Sequence, residues 1–78
     1  MAQQQQVKMN AKQATFDFLD WFNAGDCFSG HELSVFVTNI THETHYPATT
    51  LRYMREWRRA RGRKVVCINK RRSMYEVM

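Results

Sequence analysis

The positively charged side chains are concentrated in the C-terminal part of the sequence. Ten of the 12 lysines and arginines lie between Arg52 and Arg72, and Glu56 and Glu76 are the only acidic residues from Pro47 onward. This part carries a net charge of +8, whereas the part before it, with two basic and five acidic residues, carries −3. Guanidinium and ammonium groups gathered at one end can bind phosphate groups. We therefore expect a polyanionic partner, with nucleic acid first and an anionic membrane surface second.

Cysteine and histidine residues raise the question of a metal site, but their spacing does not favour one. His42 and His45 are separated by two residues in an expected loop, and Cys27 lies four residues before His31. Neither spacing matches the paired cysteines of a zinc finger, so no metal and no other cofactor is predicted. Cys27 and Cys67 also fit no secreted disulfide framework, and we expect both thiols to be reduced.

The sequence has no catalytic signature. It lacks a glycine-rich phosphate loop, a cluster of carboxylates on one helix face and a nucleophile elbow. A chain of 78 residues forms one small domain that buries roughly 60% of its unfolded surface. We therefore expect a binding protein and not an enzyme.

A helix and a hairpin must position the basic residues. Pro47 suits the first position of a helix and Gly62 suits the residue after its end, so a helix is predicted over residues 47–61. The side chains expected to face inward are Ala48, Leu51, Met54 and, at the edge, Trp57. The side chains expected on the opposite side are Thr49, Arg52, Tyr53, Glu56 and Arg59. After Gly62 the sequence alternates in a way that predicts a strand. One face of this strand consists of Val65, Cys67 and Asn69, and the other of Lys64, Val66 and Ile68. A turn is predicted at residues 70–73 and a return strand at 74–77.

Two amphipathic helices are predicted before the basic part. The first covers about residues 9–24 and stops at Gly25. Its inward face is expected to consist of Ala11, Ala14, Phe18, Trp21 and Phe22, with Asp17 and Asp20 opposite. Residues 25–28 are expected to form a loop, and Ser29 with Glu32 has the form of a capping box. It starts a second helix whose apolar stripe is Leu33, Phe36, Val37 and Ile40. The glutamine-rich residues 1–8 are predicted to be a disordered polar tail.

Three helices and a terminal basic hairpin resemble the winged helix-turn-helix DNA-binding fold. The resemblance covers roughly residues 13–78, and the residues that carry it are YPATTLRYMREWRRARG followed by RKVVCINKRRSMYEV. The resemblance implies an α+β fold, namely a three-helix winged helix-turn-helix with a C-terminal β-hairpin wing. It also implies a single DNA-binding domain over residues 9–78. The sequence departs from the pattern in two places. The connection at residues 41–46 is longer than the usual turn of roughly 3–4 residues, and Arg58 occupies a slot that is usually apolar.

The third helix and the hairpin supply the candidate DNA contacts. The first turns of a helix in the major groove come closest to the base edges, so the candidate readers are Thr49, Thr50, Arg52 and Tyr53. Arg52 is the strongest candidate because arginine can bridge two acceptors on a guanine, while Glu56 could accept from a cytosine or orient an arginine. Arg59 follows on the same face. The resemblance further implies that Lys70, Arg71 and Arg72 contact phosphates or enter the minor groove, with Arg63 and Lys64 at the base of the wing.

The predicted function is sequence-specific binding of double-stranded DNA by a small phage or bacterial transcriptional regulator. Two alternatives stay open: a protein-interaction module that docks on a larger nucleic-acid machine, and binding of structured RNA. The apolar runs fall far short of the roughly 20 residues that span a bilayer, and no signal peptide opens the chain. We therefore expect an intracellular, cytoplasmic protein, associated with the nucleoid if it is bacterial or phage-encoded. No heptad seam indicates a dimer, so the oligomeric state also stays open.

Overall fold

The computed structural model describes residues 9–78, which form three α helices and one three-stranded antiparallel sheet. In chain order the elements are α1 (Ala11–Asp20), β1 (Cys27–Ser29), α2 (Gly30–Thr41), α3 (Pro47–Arg61), β2 (Val65–Asn69) and β3 (Met74–Val77). The predicted α+β class, the three helices and the C-terminal hairpin are thus confirmed. The predicted tail at residues 1–8 lies outside the described residues.

The sheet has one strand more than expected, because part of the predicted loop at residues 25–28 forms β1. Its strands lie in the order β1-β3-β2. Cys27, Phe28 and Ser29 of β1 pair with residues 76, 75 and 74 of β3. Phe28 is buried and stacks on Tyr75, with 5.6 Å between the ring centroids. Because β1 runs directly into α2, this pairing attaches the hairpin to the helices.

The hairpin follows the predicted alternation only in part. Val65 and Val77 are buried in the core, as a hairpin that rests on helices requires. The register shifts between Cys67 and Asn69, where β2 has one extra residue relative to β3. An irregularity of this kind bends a strand and turns side chains away from their regular positions. Residues 66–69 are all exposed, on both of the predicted faces, in the edge strand of the sheet.

The first helix is one turn shorter than predicted. It ends at Asp20, and Trp21 is the capping residue that follows. The indole of Trp21 is 79% exposed, so the prediction that it faces the core is wrong. The reason is that the chain leaves the helical path at this point, and the buried position belongs to Leu19 instead. Ala11 and Ala14 are buried as predicted.

The second helix begins with the predicted capping box. The hydroxyl of Ser29 accepts the Glu32 amide at 2.9 Å, and the Glu32 carboxylate accepts the Ser29 amide at 2.8 Å. Leu33 and Val37 are buried, but Ile40, predicted to lie on the apolar stripe, is exposed. The helix instead buries two hydroxyls, those of Ser34 and Thr41. Burial is possible because each donates to a carbonyl oxygen one turn earlier, at 3.0 Å and 2.8 Å respectively.

Candidate nucleic-acid interface

The third helix has the predicted boundaries. Pro47 occupies its first turn, and Gly62 caps its end with φ 63°, a left-handed conformation that favours glycine. Thr50, Met54 and Trp57 are buried. Ala48, which was predicted to face inward, is exposed, because the burial of Thr50 turns the first turn of the helix the other way.

Contacts with α1 fix the rotation of α3 about its axis. Trp57 is 1% exposed, and its indole N–H donates a 2.7 Å hydrogen bond to Oδ1 of Asp20. Arg61 donates to both oxygens of the same carboxylate, each at 3.0 Å. Asp20 was predicted on the outer side of the first helix, but it faces α3. The position of these inward residues determines which side of α3 is left for a partner.

The charges of Asp20 and Arg61 stabilise each other. The pKa of Asp20 lies below its ordinary value, chiefly because of the hydrogen bonds from Arg61. Burial acts in the opposite direction and raises the pKa. The hydrogen bond from Trp57 and the positive charge of Arg61 lower it further. The same pair raises the pKa of Arg61. The positive charge of Arg61 is thus already paired within the protein.

Three arginines lie on the outward side of α3, and we call them the outer stripe: Arg52, Arg55 and Arg59. At about 100° per residue they fall within roughly 60° of one another around the helix. All three are exposed, and none has an acidic partner among residues 9–78. The guanidinium carbon of Arg52 lies 5.4 Å from the centre of the Tyr53 ring.

The remaining predicted readers on α3 are less accessible than expected. Thr50 is fully buried, and its hydroxyl oxygen lies 3.2 Å from that of Ser34, so the prediction that it contacts a base is corrected. Glu56 is half-buried, and its carboxylate lies 3.1 Å from the ammonium of Lys12 on α1. Tyr53 is half-buried and packs against the core. Thr49 is half-buried in the first turn of α3.

The tip of the hairpin is basic and exposed. We call Lys70, Arg71 and Arg72 the wing tip; all three side chains are exposed in the turn between β2 and β3. The turn is held by Asn69, whose side-chain oxygen accepts the amide of Arg72 at 3.1 Å. It also contacts α2, because the amide of Gly30 donates to the carbonyl of Ser73 at 2.9 Å.

Gly30 brings the wing tip close to the start of α3. A Cβ atom at this position would lie 2.9 Å from the Ser73 hydroxyl, 3.5 Å from Leu51 and 3.7 Å from Pro47. The turn, the start of α2 and the first turns of α3 therefore meet at one point. The outer stripe and the wing tip belong to neighbouring elements, as a shared binding surface requires.

A cluster of arginines at the other end of α3 was not predicted as a unit. Arg55, Arg58, Arg59 and Arg63 line an open cleft of about 300 Å³, which we call the arginine cleft. Arg63 is half-buried, with its guanidinium carbon 5.6 Å from the Trp57 ring. Lys64, next to it at the base of the hairpin, is exposed. The available signal was the spacing of Arg55, Arg58 and Arg59 at i, i+3 and i+4, which places them on one side of a helix.

Other kinds of site find no support within residues 9–78. This part of the chain contains no group of three or more histidine, cysteine, aspartate or glutamate side chains that could hold a metal ion. Cys27 and Cys67 are free and exposed. None of its helices has the length and apolar character needed to cross a membrane. Comparisons of the chain with protein-family models, with curated proteins and with solved structures found no match.

Proposed function

We propose that this protein binds double-stranded DNA, with α3 in the major groove and the wing tip on the adjacent backbone. The observation that carries the proposal is that Ser73, the residue after the wing tip, and the first turns of α3 both lie close to Gly30. Together the outer stripe and the wing tip present six basic side chains, none of which has an acidic partner among the described residues. Such a surface attracts a polyanion.

The architecture is compatible with a small winged-helix domain. The described elements follow one another as α1, β1, α2, α3, β2 and β3, and β1 joins the hairpin through β3. In this interpretation α3 is the recognition helix and the β2–β3 hairpin is the wing. The five residues that connect α2 to α3 are longer than a simple helix-turn-helix turn, which typically has 3–4 residues.

The outer stripe is suited to the major groove. A helix fits this groove, and a guanidinium group can donate two hydrogen bonds to one guanine. Arg52 is nearest the start of α3, where a recognition helix usually comes closest to the base edges. Its position beside the Tyr53 ring limits the conformations of its side chain and so reduces the entropy lost on binding. Arg52 is therefore the proposed base-contacting residue, and Thr49 in the preceding turn is a second candidate.

The wing tip is suited to phosphate groups. Contacts from lysine and arginine to phosphates supply affinity and fix the orientation of a protein on the duplex, but carry no sequence information. Because Gly30 and Ser73 hold the turn against α2, the three basic side chains project from an anchored base. In this proposal α3 recognises the DNA sequence, and the wing supplies affinity that does not depend on the sequence.

A protein-interaction module is the second candidate. The observation that favours it is the exposure of Trp21 at the end of α1, because a large aromatic side chain is a common anchor in protein interfaces. A complex of this kind would depend little on salt, since apolar contacts are not screened by ions.

The experiment that tests the proposal measures binding of a fluorescently labelled duplex by anisotropy at roughly 50 mM and 200 mM salt. A structured RNA hairpin of equal length serves as competitor. DNA binding predicts a steep fall in affinity as salt rises, together with weaker competition by RNA than by unlabelled DNA. No binding at the lower salt, in a protein shown to be folded, would contradict the proposal.

A further inference from the structure

We infer that the arginine cleft binds a single phosphate group, and that in the DNA complex this group belongs to the sugar-phosphate backbone. The cleft is lined by Arg55, Arg58, Arg59 and Arg63, at the point where α3 ends and the chain leads into β2. The assignment of the phosphate to DNA rests on the proposed function. The capacity of the cleft for a phosphate group is argued from its own side chains.

The positive charge of the arginine cleft favours the binding of an anion. All four lining side chains are arginines, which stay protonated in proteins, and no acidic residue lines the cleft. Within residues 9–78, Arg55, Arg58 and Arg59 form no ion pair and no side-chain hydrogen bond. Like charges held this close repel one another, and an oxyanion between them turns this repulsion into attraction. The planar fork of a guanidinium matches two phosphate oxygens at once.

Stabilisation of the helix end does not account for the cluster. Basic residues in the last turn interact favourably with the negative end of the helix dipole, and Arg58, Arg59 and Arg61 occupy that turn. Arg61 is paired with Asp20 and points away from the cleft. Arg55 lies before the last turn and Arg63 lies beyond the helix, yet both line the same cleft. The helix dipole does not explain why Arg55 and Arg63 line the same cleft, whereas a binding role does.

Part of the cleft is organised before any ligand arrives. Arg63 lies over the Trp57 ring and donates a 3.4 Å hydrogen bond to the main-chain oxygen of Met78. Arg58 is half-buried in a slot that the winged-helix pattern usually fills with an apolar side chain. Among the described residues, the guanidinium nitrogens of Arg58 are not among the buried polar atoms that lack a partner, so they remain open to an oxyanion. Side chains held in this way lose less entropy on binding than freely exposed ones.

The position of the cleft matches a backbone phosphate better than a base. Arg58 follows Arg52 by six residues, which is about 9 Å along the helix axis. The major groove is about 12 Å wide and is bordered by the two phosphate backbones. With Arg52 at the base edges, the end of α3 reaches the border of the groove. The cleft is open to solvent, so a strand can continue past the bound phosphate in both directions.

The test uses the full chain and two ligands. Pyrophosphate is first titrated without DNA while the arginine Nε–H signals are followed by NMR. The inference predicts saturable shifts for the four cleft arginines, none for Arg52, and loss of these shifts in Arg58→Gln. Duplex binding is then measured over a range of salt concentrations. Arg58→Gln should lower the slope of log affinity against log salt by about 0.9 while leaving the ranking of DNA sequences unchanged.

Three controls keep the outcomes distinct. Arg58→Lys retains the charge but not the fork, and should retain the salt slope while weakening pyrophosphate binding. Arg52→Gln should change the ranking of DNA sequences and leave the pyrophosphate shifts intact. Circular dichroism and thermal unfolding establish that each variant is folded, which is expected because the Arg58 side chain makes no hydrogen bond within the described residues.

The possible failures can be told apart. Unsaturable shifts of equal size at all exposed arginines, or an unchanged salt slope in Arg58→Gln, would overturn the inference even if the wild-type protein binds DNA. If the wild type binds no duplex but pyrophosphate saturates the cleft, the proposed DNA-binding function fails. The phosphate-group site then stands, and its phosphate belongs to a ligand other than duplex DNA.

Discussion

The indole N–H of Trp57 donates a 2.7 Å hydrogen bond to the carboxylate of Asp20 and thereby joins α3 to α1. The same carboxylate accepts two hydrogen bonds from Arg61, so one aspartate satisfies an aromatic donor and an arginine at once. With this side of α3 fixed inward, the outer stripe must face solvent. The orientation of the proposed DNA-reading surface therefore depends on a contact on the opposite side of the helix.

Replacing Asp20 should lower stability in a pH-dependent manner. Asp20→Asn is expected to cost about 1 kcal/mol near pH 7, a modest amount because the carboxylate is 42% exposed and its ion pair is partly screened. Since folding lowers the pKa of Asp20, its contribution is fully present above the ordinary pKa of an aspartate. It is lost as the pH falls through the lowered pKa. Urea unfolding of both proteins at several pH values measures this difference.

Asp17→Asn is the matched control, since Asp17 is exposed on the same helix. Its effect on the free energy of unfolding should be close to zero across the same pH range. An Asp20→Asn protein as stable as the wild type near pH 7 would mean that the ion pair of Asp20 with Arg61 does not stabilise the fold.

Thr50 and Thr49 should behave in opposite ways although they are adjacent. Thr50→Val removes a buried hydroxyl that contacts Ser34, and is expected to cost about 1 kcal/mol of unfolding free energy without changing DNA affinity. Thr49→Val changes a half-buried residue of the same turn and should change DNA binding while leaving stability nearly unchanged. Urea unfolding and anisotropy on both variants test the pair. Altered DNA preference in Thr50→Val alone would contradict the buried placement.

Gly30 should tolerate a side chain only if Ser73 is also changed. A Cβ at Gly30 would lie 2.9 Å from the Ser73 hydroxyl, so Gly30→Ala is expected to destabilise the fold by roughly 1–3 kcal/mol and to displace the wing tip. Ser73→Gly removes the obstructing oxygen and also suits the positive φ of 53° at this position. A double-mutant cycle by thermal unfolding measures the coupling. Purely additive effects would show that the two residues do not meet.

Local chemistry made the start of α2 and both ends of α3 predictable, but not the end of α1. The capping box of Ser29 with Glu32, the proline at the start of α3 and the glycine after its end each act within one turn, and the structure confirms all three. The short strand β1 was not predictable, because it consists of three residues whose partner strand lies more than 40 residues later. Strand pairing over such a distance leaves no local pattern.

The predictions for Thr50 and Trp21 failed for different reasons. Thr50 has the side chain of a DNA-contacting residue, but the hydroxyl of Ser34, 16 residues earlier, gives it a buried partner. The helical pattern assigned Trp21 to the core, yet the helix ends one residue before it. The charge segregation needed only the sequence, whereas Arg63 joins the three cleft arginines of α3 because the chain turns back after Gly62, with the Arg63 amide donating to the Arg58 carbonyl at 3.0 Å. Composition alone thus led to the expectation of an anionic partner, and tertiary contacts determine which basic side chains are exposed.

Arg52 should control sequence preference. Arg52→Ala is expected to lose about 1–3 kcal/mol of discrimination between the preferred duplex and a duplex with one base pair changed, because a bidentate guanine contact is removed. Lys12→Ala is the control of equal charge change, since Lys12 lies on α1 and pairs with Glu56. Anisotropy with both duplexes measures the discrimination. Unchanged discrimination in Arg52→Ala would remove this residue from the base-reading role.

The wing tip should supply affinity without sequence preference. The double change Arg71→Ala and Arg72→Ala is expected to weaken binding to all duplexes by a similar factor. It should also lower the slope of log affinity against log salt by roughly 1.8, about 0.9 for each lost phosphate contact. The measurement is a salt series on two unrelated duplexes. A loss confined to one sequence would mean that the wing reads bases.

The most direct test of the central claim is an NMR titration of the isotope-labelled protein with a random-sequence duplex, at low and at high salt. DNA binding through α3 and the wing predicts shifts confined to residues 49–59 and 63–73, covering the outer stripe, the wing tip and the arginine cleft, and a loss of these shifts at high salt. The absence of shifts at low salt in a folded protein, or shifts centred on Trp21, would contradict DNA binding through α3 and the wing.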